Sequence, residues 1–419
     1  MKLLLNNQIN RYMIRGLLHR LLMHRHFWRQ ATFSEIAELY ASRMMRIFAL
    51  RLVSVFASVY LLQSGYTLLF ITLFWVAFYG MRILFSWPSA LLIARLGPKH
   101  ATFISNIVSA IGMALLPLTS QSPYGLLFLI VWCTLHAYSG AMNDIAYLVD
   151  FSKVKNNSHA GKELGFMNLV EKIATGLSPF IGGAIAYMFG PYSIMVLSAV
   201  LFVLSAIPLL ATAEPTQTRI PINFIDFPWR TTWRSLVAQA GVGVDLFTTA
   251  SGWTIFLTLV VFGLHGNRIY AEIGFVTSVT LLVSIVISYT FGRMIDRQQG
   301  NVLLQWSTLI NSSIHLLRAL ITTPIGVIAI NTANEVSTTG YNMPFLRGMF
   351  DTADYSGRRI EYLFLSEVFL NLGAALAALL LAVLVAILDN NTAALQFSFV
   401  VGGLLTLLIA TPRFRLYKK

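Results

Sequence analysis

The sequence predicts an all-α membrane protein, with twelve transmembrane helices in two six-helix bundles related by an internal repeat. Three observations lead there. Hydrophobic residues make up 56% of the 419, charged ones only 11%, and mean hydropathy is +0.69. A soluble domain carries about 25% charged residues, so polar side chains are too scarce here to cover a water-facing surface. Apolar runs long enough to cross a bilayer recur along the whole chain. Two similar basic, glycine-containing loops follow the second run of each half: Ala90-Leu-Leu-Ile-Ala-Arg95-Leu-Gly97-Pro-Lys99 and Gly292-Arg-Met-Ile-Asp296-Arg297-Gln-Gln-Gly300.

The runs lie near 44–63, 66–93, 101–118, 124–150, 164–188 and 192–212, then near 235–261, 270–291, 302–322, 325–345, 360–388 and 394–411. A helix needs about 20 residues to span, at 1.5 Å rise each. A closed barrel is excluded because the runs are too long and do not alternate. These runs divide the chain into five parts. Residues 1–42 form a cytoplasmic segment, 43–212 the first bundle, 213–233 a linker, 234–412 the second bundle and 413–419 a basic tail. In residues 1–42, Leu17, Leu18, Leu21, Leu22 and Phe27 interleave with Arg15, Arg20, Arg25 and Arg29, the pattern of an amphipathic helix lying on the inner leaflet. Pro215, Pro221 and Pro228 mark the linker as irregular.

Orientation follows from the basic residues. With a cytoplasmic N-terminus, 25 of the 30 Lys and Arg fall on the inside and one, Arg268, on the outside. Both termini are therefore expected in the cytoplasm, in a cell (plasma or inner) membrane. The net charge of +13 is read as this topology signal and not as a nucleic-acid surface, because the basic residues are spread between apolar runs. The one cysteine, Cys133, excludes an intrachain disulfide.

The halves repeat beyond the loops. Gly161-Lys162-Glu163 through Glu171 aligns with Gly357-Arg358-Arg359 through Glu367 at a constant offset of 196, which makes Glu171 and Glu367 counterparts. Arg51 and Asp245 correspond at an offset of 194, and Gly140 and Gly340 at 200. Preserved order along the chain supports duplication.

With these motifs the chain resembles the major facilitator superfamily over about residues 43–412. The family's loop after the second helix reads Gly-x-x-x-Asp-Arg-x-Gly-Arg-Lys. The first copy keeps Arg95, Gly97 and Lys99 but has Ala90 and Ala94 in place of Gly and Asp. The second keeps Gly292, Asp296 and Arg297, with Gly300 one place late. The resemblance implies a cytoplasmic latch between the halves, resting mainly on Asp296. In the fifth run, Ser178-Pro179-Phe-Ile-Gly182-Gly183 resembles the Gly-Pro-x-x-Gly-Gly motif of the family's exporters, and it also reads as a kinked, closely packed helix. In the fourth, His136-Ala-Tyr-Ser139-Gly140 stands where many proton-coupled exporters have Arg-x-x-Gln-Gly.

Ionisable residues inside a span are costly and need a cavity or a partner. The resemblance implies that helices one, four, seven and ten line the cavity, and these carry Arg51, His136, Asp245 and Glu335. Arg82, Glu171 and Glu367 lie at similar depth, and Asn334 is a polar neighbour. The expected arrangement pairs Arg51 and Arg82 with Asp245 and Glu335 across the interface. Structural pairs that set helix register are the alternative. Lys172 and Arg318 are expected to snorkel or to pair locally.

No nucleotide-binding loop or metal-ligand spacing occurs, so neither catalysis nor a cofactor is expected. The leading function is secondary transport of a small organic solute, with proton-coupled export slightly favoured. Uptake by symport or facilitation, a lipid flippase and a transport-dead receptor remain alternatives. The expected partners are the solute, protons and the lipid bilayer, and the chain is expected to act as a monomer. The charge bias makes a direct prediction. A cysteine at Asn267 is labelled from outside the cell and one at Gln217 is not. The reverse pattern overturns the segment map.

Overall fold

The computed structural model describes residues 33–154, 160–210, 221–279, 287, 290–295, 297 and 299–417. Residues 1–32, the linker portion 211–220, Asp296 and the last two lysines lie outside this set. So do the side chains of 151–168, which include Lys162 and Glu163 of the repeat motif. The amphipathic segment and the Asp296 half of the latch therefore remain expectations.

The fold is all-α and multi-pass. The long helices are α1 (Phe33–Ser54), α2 (Leu68–Leu96), α3 (Pro98–Leu115), α4 (Gly125–Val154), α5 (Ala160–Phe189) and α6 (Pro191–Ala206). They continue with α7 (Trp229–Phe247), α8 (Arg268–Ser278), α9 (Gly300–Arg318), α10 (Pro324–Ser356), α11 (Arg359–Ile387) and α12 (Asn391–Thr406). Among the described residues, nine helical spans are long and apolar enough to cross a membrane. The expected spans 270–291, 302–322 and 325–345 are not among them. Of 270–291, residues 270–279, 287 and 290–291 are described. The other two form α9 and α10, which are less apolar because they carry polar residues on their inner faces. Asn311, Ser312, His315 and Arg318 of α9, and Asn334 and Ser337 of α10, are all buried. Two boundaries also shift: α1 begins at Phe33, before the expected entry at 43, and α7 begins at Trp229, inside the stretch read as linker.

Local chemistry sets the ends. Gly97 at φ +90° ends α2 and Pro98 opens α3; Gly190 at φ +82° and Pro191 do the same between α5 and α6. Glycine tolerates the positive φ, and proline at a first helical position loses no hydrogen bond. Thr67, Thr323 and Asn390 cap α2, α10 and α12 with side-chain oxygens. After α7 the helix passes through two π-helical stretches, Thr248–Gly252 and Leu257–Phe262, which flank Trp253.

Helices α1 to α6 pack on one another through α1–α5, α1–α6, α2–α4, α3–α4 and α3–α6. Later in the chain the packed pairs are α7–α11, α9–α10, α9–α12 and α11–α12. The two sets meet where α2 packs along α11 and α5 along α8. Glycines allow this closeness. A Cβ on Gly274 of α8 would collide with the carbonyl of Pro179, and one on Gly183 of α5 with the carbonyl of Tyr270. Gly182 faces Leu52 and Phe56 of the first span. The α5 motif thus packs a helix between α1 and α8.

At the end of the molecule formed by the 64–67 and 263–267 turns, the two sets are also joined by hydrogen bonds. Gln63 donates to the Gly266 carbonyl at 2.6 Å and accepts from the Tyr270 hydroxyl at 2.9 Å. Gly274→Ala is expected to lower stability by about 1–3 kcal/mol through overpacking, measured as the unfolding midpoint in detergent. Gly80→Ala is the control, because nothing lies within 4 Å of its would-be Cβ.

Candidate functional site

The charges expected inside the membrane gather into two clusters, and the larger crosses between the two helix sets. It begins on α5, where Glu171 accepts from Nε of Arg43 on α1 at 3.0 Å. The Arg43 guanidinium stands over the Tyr147 ring and 3.9 Å from Asp144 of α4. Asp144 accepts from Arg82 of α2 at 2.6 Å. The same Arg82 nitrogen donates to Glu367 of α11 at 2.5 Å, and Asn371 secures that carboxylate at 2.7 Å. Gly140 makes room for Arg82, since a Cβ there would come within 3.3 Å of the guanidinium. Beside this ladder, Lys172 of α5 reaches Glu335 of α10 at 2.5 Å. Two ion pairs, Arg82–Glu367 and Lys172–Glu335, therefore link α1–α6 to α7–α12.

These groups are unequally accessible. Glu367 is 4% exposed, while the Asp144 side chain is 38% exposed and Glu171, Lys172 and Glu335 about a fifth each. Lys172, Glu335 and Glu367 find their partners across the two helix sets, while Asp144 and Glu171 also pair within their own. A charge inside a span is tolerated when it is paired or lines a wet cavity.

The second cluster belongs to the later helices. Asp245 of α7 is 3% exposed. Its Oδ1 accepts from His315 Nε2 at 2.6 Å and Asn311 Nδ2 at 2.8 Å, and its Oδ2 accepts from the Tyr341 hydroxyl. Arg318 donates to Nδ1 of His315 at 3.2 Å. That leaves Nδ1 as acceptor and Nε2 as the protonated nitrogen, which is the neutral ring. Arg318 also bonds Thr249 and stands over Trp253, whose indole donates to Asn331 at 2.8 Å.

The expected pairing therefore changes. Asp245 meets neither Arg51 nor Arg82, because α9 and α10 surround it with donors of their own. Arg82 takes Asp144 and Glu367, Glu335 takes Lys172, and Arg51 makes no hydrogen bond or ion pair among the described residues. Lys172 and Arg318 do more than snorkel. His136 stacks on Trp132 and Phe78, at centroid distances of 5.4 and 5.9 Å, and its Nδ1 finds no hydrogen-bond partner among the described residues. Ser139 anchors the buried Arg46, which also donates to Asn106 at 2.5 Å. Asn334 is buried beside Glu335.

Of the loop residues, Arg95 is exposed and Gly97 turns the chain. Lys99 pairs with Glu38 of α1 at 3.1 Å, within its own helix set. Gly292 is buried and Arg297 exposed. Ser178 is buried and Pro179 stands inside α5. His315 escapes a sequence reading that looks for carboxylates; its signal is a one-turn spacing from Arg318 and from Asn311.

The model of the Major Facilitator Superfamily matches residues 39–351. The chain belongs to that superfamily. It is accordingly a membrane transporter and not an enzyme. Two solved structures of superfamily members share its fold. One is the transporter FucP in the outward conformation, at a TM-score of 0.65 and 15% identity, over 89% of this chain and 96% of that one. The other is the E. coli fucose:proton symporter FucP in a substituted form, at a TM-score of 0.62 and 15% identity, over 90% and 98%. No curated protein matches the chain. Among the described residues, no group of His, Cys, Asp or Glu is arranged to hold a metal ion.

The Asp245 cluster carries its own test. Asp245→Ala strands Tyr341, Asn311, His315 and Arg318 in a sealed interior. The expected loss is about 3–5 kcal/mol, read from thermal unfolding of the purified protein.

Proposed function

We propose that this superfamily member is a secondary-active transporter that moves a small solute together with protons, taking it up as a symporter by alternating access in the cell membrane. Twelve spans in two six-helix bundles would rock about the charged region, with both termini in the cytoplasm. The observation that carries the reading is the pair of ion bridges, Arg82–Glu367 and Lys172–Glu335, joining the two helix sets. A rocking motion must stretch or break them. A carboxylate parted from its cation in a low-dielectric interior binds a proton more readily, and one returned to its cation releases it. Glu367, Glu335 and Asp144 thereby become the proposed proton carriers, with Arg82 and Lys172 as their cations. Asp245, closed off with a full set of donors, is assigned to holding α7, α9 and α10 together.

Symport is preferred to export on two grounds. One solved structure of like fold is that of a fucose:proton symporter. The α5 stretch that resembles an export motif is already accounted for by packing, since Gly182 and Gly183 seat α5 against α1 and α8.

The test is proton movement in proteoliposomes with an entrapped pH dye, on external addition of small solutes, with L-fucose as the first neutral probe. Symport acidifies the lumen whichever way the protein is inserted. Antiport makes it alkaline, which would restore the export reading. Solute entry without any pH change removes the coupling. Glu367→Gln and Glu335→Gln are each expected to abolish accumulation driven by a pH gradient.

A further inference from the structure

The charges at the centre do not balance, and the residue left over is Arg51. The cations of the region are Arg43, Arg46, Arg51, Arg82 and Lys172; the acids are Asp144, Glu171, Glu335 and Glu367. Each acid is already bonded to a cation: Glu171 to Arg43, Asp144 and Glu367 to Arg82, Glu335 to Lys172. Arg46 is sealed at 4% exposure and satisfied by the neutral oxygens of Asn106, Ser105 and Ser139. Arg51 has neither arrangement. It is only half-buried and makes no hydrogen bond among the described residues. The charged and titratable groups whose fields reach it include Tyr79 of α2, Glu171 of α5, Glu335 of α10 and Arg43 of its own helix. Those positions come from both helix sets, so Arg51 stands where the sets converge.

A guanidinium that keeps a charge at mid-membrane depth with no counter-ion calls for one, because its planar fork of N–H groups is suited to two-pronged oxygen anions. We infer that the transported solute carries an anionic group, a carboxylate or a phosphate, and that Arg51 receives it. This rests on the transport reading above and adds to it the charge class of the cargo. One unmatched cation accepts one negative charge, and an anion entering with protons fits a site whose remaining acids are held in ion bridges. Arg51 is then a binding residue, while Arg82 and Lys172 are bridge residues.

The test uses purified full-length protein in lipid nanodiscs and two simple probes, inorganic phosphate and succinate, titrated at constant ionic strength while the unfolding midpoint is followed. At least one probe is expected to raise the wild-type midpoint saturably, and the stronger of the two identifies phosphate or carboxylate as the preferred group. Arg51→Gln is expected to weaken that response roughly tenfold or more, the loss of a charge-assisted hydrogen bond. Arg51→Lys should restore part of it. Arg51→Gln in probe-free buffer provides a second reading. Removing an unmatched buried charge should leave the midpoint unchanged or raise it, whereas Arg82→Gln strands two carboxylates and should lower it.

A wild-type midpoint indifferent to both probes, an equal response in Arg51→Gln, or a probe-free midpoint that falls as far in Arg51→Gln as in Arg82→Gln each overturns the inference. The transport reading is scored separately, by lumen acidification. Acidification with a neutral solute and no anion response sinks the inference alone. Anion binding without proton movement under any solute sinks the coupling alone.

Discussion

Everything at the centre of this molecule depends on how one guanidinium is shared. Arg82 on α2 bonds Asp144 of its own helix set and Glu367 of the other through a single nitrogen. Both carboxylates need it, because neither can hold a charge at that depth without a cation. Asp144 is also near Arg43, and Arg43 holds Glu171, so the ladder runs from α5 through α1, α4 and α2 to α11. Gly140 leaves space for the guanidinium, and the long packing of α2 on α11 sets its reach. The bridge to Glu367 is the rung that links the two sets of helices, and it is the most buried end of the ladder.

Around that rung the molecule separates rigid from adjustable chemistry. The Asp245 cluster is closed, fully donated to and confined to α7, α9 and α10. It resembles a structural core built of polar groups, and a neutral His315 between Asp245 and Arg318 suits that role. The cross-set pairs are different: Glu367 is held by Arg82 and Asn371, and Glu335 meets Lys172 with about a fifth of its side chain exposed. Elsewhere, the contacts of Gln63 with Gly266 and Tyr270, and of Gly183 with Gly274, also hold the two sets together.

Much of this architecture is legible in the sequence, because hydropathy reports the lipid-facing side of a helix. It is a weaker guide for α9 and α10, whose inner faces carry Asn311, His315, Arg318 and Asn334 and whose spans therefore look less apolar. The loops and the α5 glycines can be read off, and Arg51, Arg82, Glu171, Asp245, Glu335 and Glu367 stand out because charge inside an apolar run is costly. Which charge meets which cannot. The repeat places Arg51 opposite Asp245 in the alignment, yet counterparts in an alignment have no reason to touch. The actual partners are set by helix rotation and by local donors. His315, one turn from Arg318, decides the fate of Asp245, and Lys172, beside Glu171 in sequence, turns the other way to reach Glu335.

The central claim is that the Arg82–Glu367 bridge holds one conformation of the two helix sets and yields in the other. The most direct measurement is the distance distribution between spin labels at Gln121 and Asn267, on turns of the first and second helix sets, in the wild type and in Glu367→Gln. Losing a charged partner is worth about 1.5–3 kcal/mol, so the ratio of short to long distances should fall by roughly tenfold or more in the variant. An unchanged distribution would contradict the account.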